Sequence, residues 1–246
     1  MSYARSAQYY DYFDTKGNLE FYRSLAQETS GDVLELGVGT GRVLFEICKD
    51  GRDGIGIDNE PAMLRQAKMK RRAECPNISG RCRLLKADML SFDLGRTFGF
   101  VYAPSGGVQG DSTEDLRGIF RAGADHLDDD GIFAFDVSSP SSLRQVRSFS
   151  PLRVELPGGR VVIRFIAQTW NEADDTTSFD ILYKEYLPGT TRTDSFVESA
   201  TIAVVTPEHV AEALDYAGLS RHELYGDFQR GPYTDESKWM VVAARR

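Results

Sequence analysis

The sequence predicts an α/β fold: a doubly wound, mostly parallel sheet with helices on both faces and an inserted antiparallel β layer. The first observation is that short apolar runs alternate with helical periodicity between residues 31 and 137. Such alternation indicates parallel strands joined by right-handed crossovers. The second is that residues from about 151 to 204 show no helical periodicity and are rich in β-branched and aromatic residues. That composition favours antiparallel strands.

The predicted parallel strands are nearly continuous apolar runs, which are typical of strands buried on both faces. They cover 31–37, 53–58, 82–88, 98–104 and 131–137. Amphipathic helices are predicted over 40–51, 59–74 and 113–127. After the β layer, Thr206 and Pro207 predict the N-cap and first residue of a helix that Gly218 ends. Two closing strands are predicted over 220–228 and 237–246.

Composition narrows the function classes. The 246 residues carry a net charge of −8 and a pI near 5.0, which argues against a nucleic-acid partner because such proteins need a basic footprint. No apolar run approaches the roughly 20 residues of a membrane helix, and the first residues have no apolar core typical of a secretory signal. Cys48, Cys75 and Cys82 have no metal-ligand spacing. We therefore expect a cytoplasmic protein with reduced thiols, no metal and no membrane partner.

The segment VLELGVGTGR (33–42) predicts a ligand turn between the first strand and the first helix. Its glycines fit the first two positions of the dinucleotide pattern G-x-G-x-x-G, but the third position falls on Arg42. Glu35 lies just before the turn, where its carboxylate would repel a pyrophosphate and attract a sulfonium or an ammonium. Asp58 ends the second strand and could accept ribose hydroxyls of either ligand class. The residues favour S-adenosylmethionine and leave a dinucleotide reductase as the weaker alternative.

Four segments in this order and spacing, VLELGVGTGRV, GIDNEPAMLRQA, LLKADMLSFDL and FGFVYAPSGGVQ, resemble the successive motifs of class I S-adenosylmethionine-dependent methyltransferases. The resemblance covers about 30–137 and implies a Rossmann-like, seven-stranded sheet. Within that family the chain is similar to small-molecule enzymes with a β insertion after the fifth strand, such as sugar N,N-dimethyltransferases and glycine N-methyltransferase-like enzymes. The N-terminal YYDYFD (9–14) resembles their tyrosine–aspartate segment, which covers the cofactor.

The resemblance also implies roles for individual residues. The turn glycines would let the backbone approach the methionine end of the cofactor, Asp58 and Asn59 would bind the ribose, and Met63 would pack on adenine. Asp88 would face the adenine amino group, and Tyr10 would close over the methionine end. The full predicted cofactor set is Tyr10, Tyr22, Glu35, Gly37, Gly39, Gly41, Arg42, Asp58, Asn59, Met63, Asp88, Met89, Ala103 and Ser105.

Methyl transfer is an in-line displacement in which the protein aligns the acceptor and excludes water. Histidine is the usual general base, but His126, His209 and His222 lie away from the fourth motif. Some relatives carry a histidine after the fourth strand, and the matching position here is Gln109, which cannot take a proton at neutral pH. We therefore expect catalysis by alignment, with Gln109 and Tyr10 as the catalytic candidates.

Acceptor contacts are expected from the β layer and from the loop between the two closing strands. The irregular structure of this loop favours a position near the sheet edge. The predicted acceptor residues are Gln109, Arg164, Trp170, Tyr225, Phe228 and Tyr233.

The predicted function is methylation of a small-molecule acceptor, with nitrogen as the expected atom, by a monomer or homodimer that uses S-adenosylmethionine. The alternatives are an RNA or protein methyltransferase and a cofactor-binding but inactive interaction module. Four regions are expected. They are a cofactor-covering helical segment (1–30), a cofactor-binding core (31–150), an antiparallel insertion that forms a lid and acceptor wall (151–205), and a closing helix and strand pair (206–246).

Overall fold

The computed structural model describes residues 3–13, 17–110, 112–189 and 193–246. Asp14, the last residue of the predicted tyrosine–aspartate segment, therefore lies outside the described residues. The chain begins with a 3-10 turn at Ser6–Tyr9, followed by helices α1 (Tyr10–Phe13) and α2 (Leu19–Gln27). The alternating region comprises β1 (Val33–Leu36), α3 (Arg42–Lys49), β2 (Gly54–Asp58), α4 (Pro61–Glu74), a 3-10 turn at Pro76–Ile78, β3 (Cys82–Lys86), β4 (Phe98–Ala103), α5 (Glu114–Asp125) and β5 (Leu127–Ser138).

The rest of the chain forms the insertion and the end of the core. The insertion follows α6 (Pro140–Leu143) and comprises β6 (Arg147–Ser148), β7 (Leu152–Leu156), β8 (Arg160–Asn171), β9 (Thr176–Tyr186) and β10 (Thr193–Ala203). The core closes with α7 (Pro207–Tyr216), β11 (Arg221–Tyr225) and β12 (Trp239–Arg245). As predicted, Thr206 caps α7: its side chain accepts from the His209 backbone N–H, and Pro207 follows.

Within the described residues, the core sheet has seven strands in the order β11-β12-β5-β4-β1-β2-β3. Strands β1 to β5 pair in parallel, and β12 runs antiparallel to β5 and β11. Every residue of β1 and β4 is buried, because helices cover both faces. Helices α2, α3 and α4 cover one face, and α5 and α7 cover the other. The predicted fold class is confirmed.

Strand β1 lies between β2 and β4, so the connections from β1 and β4 leave the sheet in opposite directions. Open α/β sheets bind their ligands at such a switch point, outside the carboxyl ends of the strands. The loops that follow β1, β2, β3 and β4 meet at this edge.

Strands β6 to β10 form a separate antiparallel sheet, named here the second sheet. The antiparallel strands expected over about 151–204 include the long strands β8, β9 and β10, and β6 and β7 add to the β8 side. The sheet begins at Arg147 rather than at the expected residue 151. Ala203, at its end, donates its backbone N–H to the Gly110 carbonyl of the core at 3.0 Å.

The described N-terminal residues 3–13, named here the N-terminal segment, lie between the second sheet and the core. Tyr9 stacks on Tyr183 of β9, with ring centroids 5.9 Å apart, while Ala7 packs with Ala62 and Met63 of α4. Among the described helices, none has the length and apolar character that spanning a membrane requires.

Candidate active site

A cavity of about 330 Å³ opens at the carboxyl edge of the core sheet and is named here the edge cavity. A larger, open groove of about 960 Å³ lies beside α5, but no predicted site residue lines it. Eleven of the predicted cofactor residues line the edge cavity: Tyr10, Glu35, Gly37, Gly39, Arg42, Asp58, Asn59, Met63, Asp88, Met89 and Ser105. The structure thus brings together side chains that are far apart in the sequence.

The glycine turn has left-handed backbone at each of its glycines, with φ of 71° at Gly37, 54° at Gly39 and 81° at Gly41. Gly37 and Gly39 line the edge cavity, but Gly41 does not. A Cβ on Gly41 would lie 2.3 Å from the ring of Phe45. The glycine at 41 is therefore explained by the packing of Phe45 at the start of α3 rather than by contact with a ligand.

Asp58 ends β2 and joins two neighbouring loops. One carboxylate oxygen accepts from the Gly39 backbone N–H at 2.8 Å, and the other accepts from the Glu60 N–H at 2.8 Å. Burial raises the pKa of Asp58, and these two backbone bonds partly oppose that rise. Asp58 therefore holds the glycine turn in place while its carboxylate also faces the cavity.

Glu35 is 2% exposed and lies at the base of the edge cavity. Its carboxylate accepts from the Tyr102 hydroxyl at 2.9 Å. Burial raises the pKa of Glu35 to about 8, although the Tyr102 bond and the nearby Arg42 charge lower it. A cation bound beside Glu35 would favour the ionised carboxylate and lower this pKa again.

A second wall of the edge cavity is formed by the residues after β3. Asp88 accepts the Leu90 backbone N–H at 3.0 Å, which fixes the turn that follows the strand. A Cβ on Gly37 would lie 3.4 Å from the methyl carbon of Met89, so Met89 packs directly against the glycine turn. Met63, from α4, adds a buried apolar surface to the same wall.

Two tyrosines of the N-terminal segment cover the cavity. The rings of Tyr3 and Tyr10 meet edge to face with centroids 5.8 Å apart, and both line the edge cavity. Burial raises the pKa of Tyr3 to about 12, so its hydroxyl stays protonated at neutral pH. Asp11 attaches the segment to the core by accepting from the Thr40 hydroxyl at 2.6 Å and from Lys70 at 2.8 Å.

The loop after β4 forms the remaining wall and contains Gln109. The Gln109 side chain accepts from the Ser138 backbone N–H at 3.2 Å and donates to the Ser138 carbonyl at 3.4 Å. Its amide therefore already joins the loop to the end of β5. Gln109 lines the edge cavity, but an acceptor would have to share an amide that is paired at both ends.

The chain is similar to known methyltransferases in both sequence and fold. Residues 33–131 match the family model described as a methyltransferase domain. No curated protein matches the sequence. Among solved structures, an S-adenosylmethionine-dependent methyltransferase from Clostridium acetobutylicum is 18% identical. The match covers 99% of this chain and 98% of that one, with a TM-score of 0.78.

Two further structures are similar over nearly the whole chain. DesVI from Streptomyces venezuelae is 22% identical, with 98% of both chains covered and a TM-score of 0.79. The sugar N-methyltransferase KedS8 from Streptoalloteichus is 24% identical, with 98% of this chain and 92% of that chain covered and a TM-score of 0.79. Residues 33–131 are therefore a methyltransferase domain, and the whole chain has the fold of these methyltransferase structures. The predicted enzyme class and cofactor are thereby confirmed.

Three predicted cofactor residues of the methyltransferase do not line the edge cavity. Gly41 packs against Phe45, and Ala103 is fully buried within β4. Tyr22 is fully buried on α2, where its hydroxyl donates to Asp136 at 2.6 Å. Tyr22 thus lies behind the cavity wall and supports it.

Five of the six predicted acceptor residues also lie outside the cavity lining. Trp170 donates its indole N–H to Asp175 at the end of the β8–β9 hairpin, and Arg164 lies over the Phe13 ring at 4.5 Å. Tyr225 and Phe228 pack on Phe21 of α2. Tyr233 packs against the main core. Gln109 is the exception.

Several lining residues of the methyltransferase were not anticipated from the sequence. They are Tyr3, Val38, Thr40, Val43, Glu60, Leu90, Gly106, Gly107, Gly110, Asp115 and Ile119. Most of them adjoin predicted positions, so extending each motif by a few residues would have found them. Tyr3 and Asp115 carry no local signal, because only the fold brings the N-terminal segment and α5 to this edge.

The three histidines lie away from the edge cavity lining. The His126 imidazole accepts from the Leu94 backbone N–H at 3.0 Å, and that of His209 completes the cap of α7. His222 lies on β11, at the far edge of the core sheet. Across the ranges that the structure describes, no group of three histidine, cysteine, aspartate or glutamate side chains could hold a metal ion.

Proposed function

We propose that this methyltransferase transfers a methyl group to a nitrogen atom of a small-molecule acceptor. The observation that supports this best is the charge of the edge cavity. Its described lining contains five acidic residues and one basic residue, namely Glu35, Asp58, Glu60, Asp88, Asp115 and Arg42. Even with Glu35 protonated, which its raised pKa favours in the absence of a bound cation, the other carboxyl groups outnumber the one guanidinium. Such a lining attracts cations and repels phosphates. It suits a sulfonium cofactor and an amine far better than a dinucleotide or an RNA backbone.

The donor set of the cavity fits S-adenosylmethionine. We assign the ribose hydroxyls to Asp58 and Asn59, and the adenine to Met63, Met89 and Asp88. The lining also contains an acid, Glu35, and a base, Arg42, which match the ammonium and the carboxylate of a methionine moiety. The bare backbone of Gly37 and Gly39 leaves room for that moiety.

S-adenosylmethionine supplies a methyl group on a sulfonium, activated for displacement. The protein has to hold the acceptor in line, exclude water and leave the nitrogen lone pair free. No histidine is among the described lining residues, so we assign the chain an aligning role. In this scheme Tyr10 closes the cavity over the reacting atoms, and Gln109 lies on the side where the acceptor binds.

We assign the acceptor wall to the second sheet and the N-terminal segment. Arg164 of β8 stacks on Phe13, and Tyr183 packs on Tyr9, so the inner face of the sheet contacts a segment that also covers the cavity. Arg164 is the predicted acceptor residue on that face. Trp170, Tyr225, Phe228 and Tyr233 would contact only the outer parts of a large acceptor.

The nitrogen acceptor has support from a structural neighbour, since KedS8 is a sugar N-methyltransferase. We propose an amine of comparable kind as the acceptor class. An RNA or protein acceptor is the alternative, but the net charge of −8 and the acidic cavity disfavour the RNA. The remaining alternative, an inactive cofactor-binding module, predicts binding without turnover.

We also propose that the enzyme acts in the cytoplasm, as a monomer or homodimer without a nucleic-acid or membrane partner. All three cysteines are buried free thiols, which suits a reducing compartment.

Two measurements test the proposal. In a thermal shift assay, S-adenosylhomocysteine at one hundred times its dissociation constant should stabilise the protein by about 2.7 kcal/mol, while NAD and NADP should have no effect. Release of homocysteine should then be followed with matched acceptors, an amino sugar and the same sugar with a hydroxyl in place of the amine. Turnover of the amine alone is expected. Turnover of the hydroxyl compound alone would contradict the nitrogen proposal, and binding without any turnover would favour the inactive module.

A further inference from the structure

Strand β5 contains an acidic side chain that no motif explains. Asp136 is 0% exposed and follows the apolar run from Ile132 to Phe135, near the end of the strand. A buried carboxylate destabilises the fold unless hydrogen bonds or charges compensate it. Its neighbours therefore indicate what it does.

Three segments of the chain donate to one oxygen of Asp136. Its Oδ1 accepts from the Tyr22 hydroxyl at 2.6 Å, from the Ser105 backbone N–H at 2.8 Å and from the Asn18 amide at 3.3 Å. The Asp136 carbonyl also accepts from the Gly106 N–H at 3.1 Å. Its Oδ2 is buried and has no hydrogen-bond partner among the described residues. The carboxylate thus joins α2, the residue before α2 and the loop after β4.

The groups held by Asp136 reach the cavity wall. Ser105 has a φ of 65°, a left-handed conformation that is strained for a residue other than glycine. Its hydroxyl accepts from Arg42 at 3.1 Å and from Asn18 at 3.3 Å. The Asn18 carbonyl oxygen accepts from the same Arg42 nitrogen at 2.6 Å. Ser105 and Arg42 line the edge cavity, whereas Asp136 and Asn18 do not.

We propose that Asp136 is a positioning residue for methyl transfer, holding Ser105 directly and the Arg42 guanidinium through Asn18 at the methionine end of the cofactor site. The inference rests on the cofactor placement given above, but it does not depend on which acceptor is used. Buried networks of this kind act as units, because removing one member leaves the other groups without partners. The strained Ser105 needs such support to keep its conformation.

The test compares cofactor-product affinity with stability. Asp136→Asn keeps the shape of the side chain and one acceptor oxygen but removes the charge. We expect the Kd of S-adenosylhomocysteine, measured by calorimetry, to rise about tenfold. Thr177→Val is the matched control, because the buried Thr177 hydroxyl donates to the Leu143 carbonyl beside the second sheet. The control should lower the Tm and leave the Kd within twofold. A Kd within twofold for Asp136→Asn would overturn the proposal.

A double-mutant cycle identifies the route. Asn18→Ala alone should also raise the Kd about tenfold. If Asp136 acts through Asn18, the Kd of S-adenosylhomocysteine for the double variant should rise far less than the hundredfold that two independent effects would give. A hundredfold rise would overturn the proposed route. Should Asp136→Asn fail to fold, the test rests on Asn18→Ala alone. A Kd of S-adenosylhomocysteine within twofold of the wild-type value in that variant would overturn the proposal. Because the assay needs no acceptor, an error in the acceptor class would leave its result unchanged.

Discussion

The edge cavity is built from loops that follow four parallel strands, whereas the second sheet is built from strands that are neighbours along the chain. The cavity loops are joined by short polar contacts, such as those from Asp58 to Gly39 and Glu60. The second sheet is held by long antiparallel ladders, and it meets the cavity cover through aromatic packing on Tyr9 and Phe13. Removing a polar contact between the cavity loops should therefore change ligand affinity, and removing a buried ring of the second sheet should change stability.

The largest expected effect is on stability, from Tyr183→Ala. Tyr183 is 6% exposed and packs against Tyr9, Phe13 and Phe196. Removing a buried aromatic ring should lower the free energy of unfolding by about 3–5 kcal/mol, measured by denaturant titration. The Kd of S-adenosylhomocysteine should stay within about twofold. Tyr183→Phe is the control, since it keeps the ring. Lost cofactor binding in a folded Tyr183→Ala protein would show that the two regions are not separate.

The second-largest expected effect is a loss of affinity for the cofactor in the Asp58→Ala variant. Losing hydrogen bonds to a charged group should weaken cofactor binding by roughly 1.5–3 kcal/mol, measured by calorimetry. The Gly39 turn also loses its anchor, so the Asp58→Asn control, which keeps one acceptor oxygen, should retain more affinity than alanine. Unchanged affinity in the alanine variant would remove Asp58 from the site.

The third prediction uses the titration of Glu35. Its folded pKa of about 8 lies above the ordinary glutamate value of 4.5, so the native state binds the proton more tightly than the unfolded state. The stabilisation is complete below pH 4.5 and is lost as the pH rises towards 8. Between pH 5 and pH 7 the wild type should lose on the order of 2 kcal/mol relative to Glu35→Gln. Parallel pH dependences of the free energy of unfolding in the two proteins would contradict this.

The smallest expected effect is that of Trp170→Ala. Trp170 donates to Asp175, which also binds Arg144 at 2.7 Å, at the end of the second sheet that adjoins the core through the Ala203–Gly110 bond. If that sheet forms the acceptor wall, acceptor KM or kcat should change by a few-fold while the Kd of the cofactor product stays within about twofold. Trp170→Phe should behave as the wild type if only the apolar contact matters. Unaltered turnover in both variants would count against an acceptor role for this end.

Much of the fold follows from local pattern. The parallel strands are short apolar runs, and the insertion alternates in the way antiparallel strands do, so periodicity alone locates β1 to β4 and β8 to β10. The Thr206–Pro207 start of α7 is equally local, because capping involves neighbours in the sequence. By contrast, β6 has two residues and is too short for any pattern to show.

The site residues also divide into those that the local sequence pattern predicts and those that it does not. The positions after β1, β2 and β3 were predicted, because motif residues and strand ends coincide there. Tyr22 and Gly41 were expected to contact the cofactor, but their side-chain surroundings depend on Asp136 and Phe45. Asp136 did leave a signal, an acidic residue within the apolar run IFAFDV. Asn18 left none, since nothing near it in the sequence indicates a buried amide.

The sequence by itself determined the fold class, the glycine turn and the acidic character of the ligand edge. These depend on spacing and side-chain chemistry within a few residues. Only the tertiary structure decided that the N-terminal segment covers the cavity and that Tyr22 supports Asp136. It alone also placed most predicted acceptor residues away from the cavity lining. Those outcomes depend on contacts between segments more than one hundred residues apart, such as Tyr22 with Asp136 and Tyr9 with Tyr183, and local periodicity carries no information about such pairs.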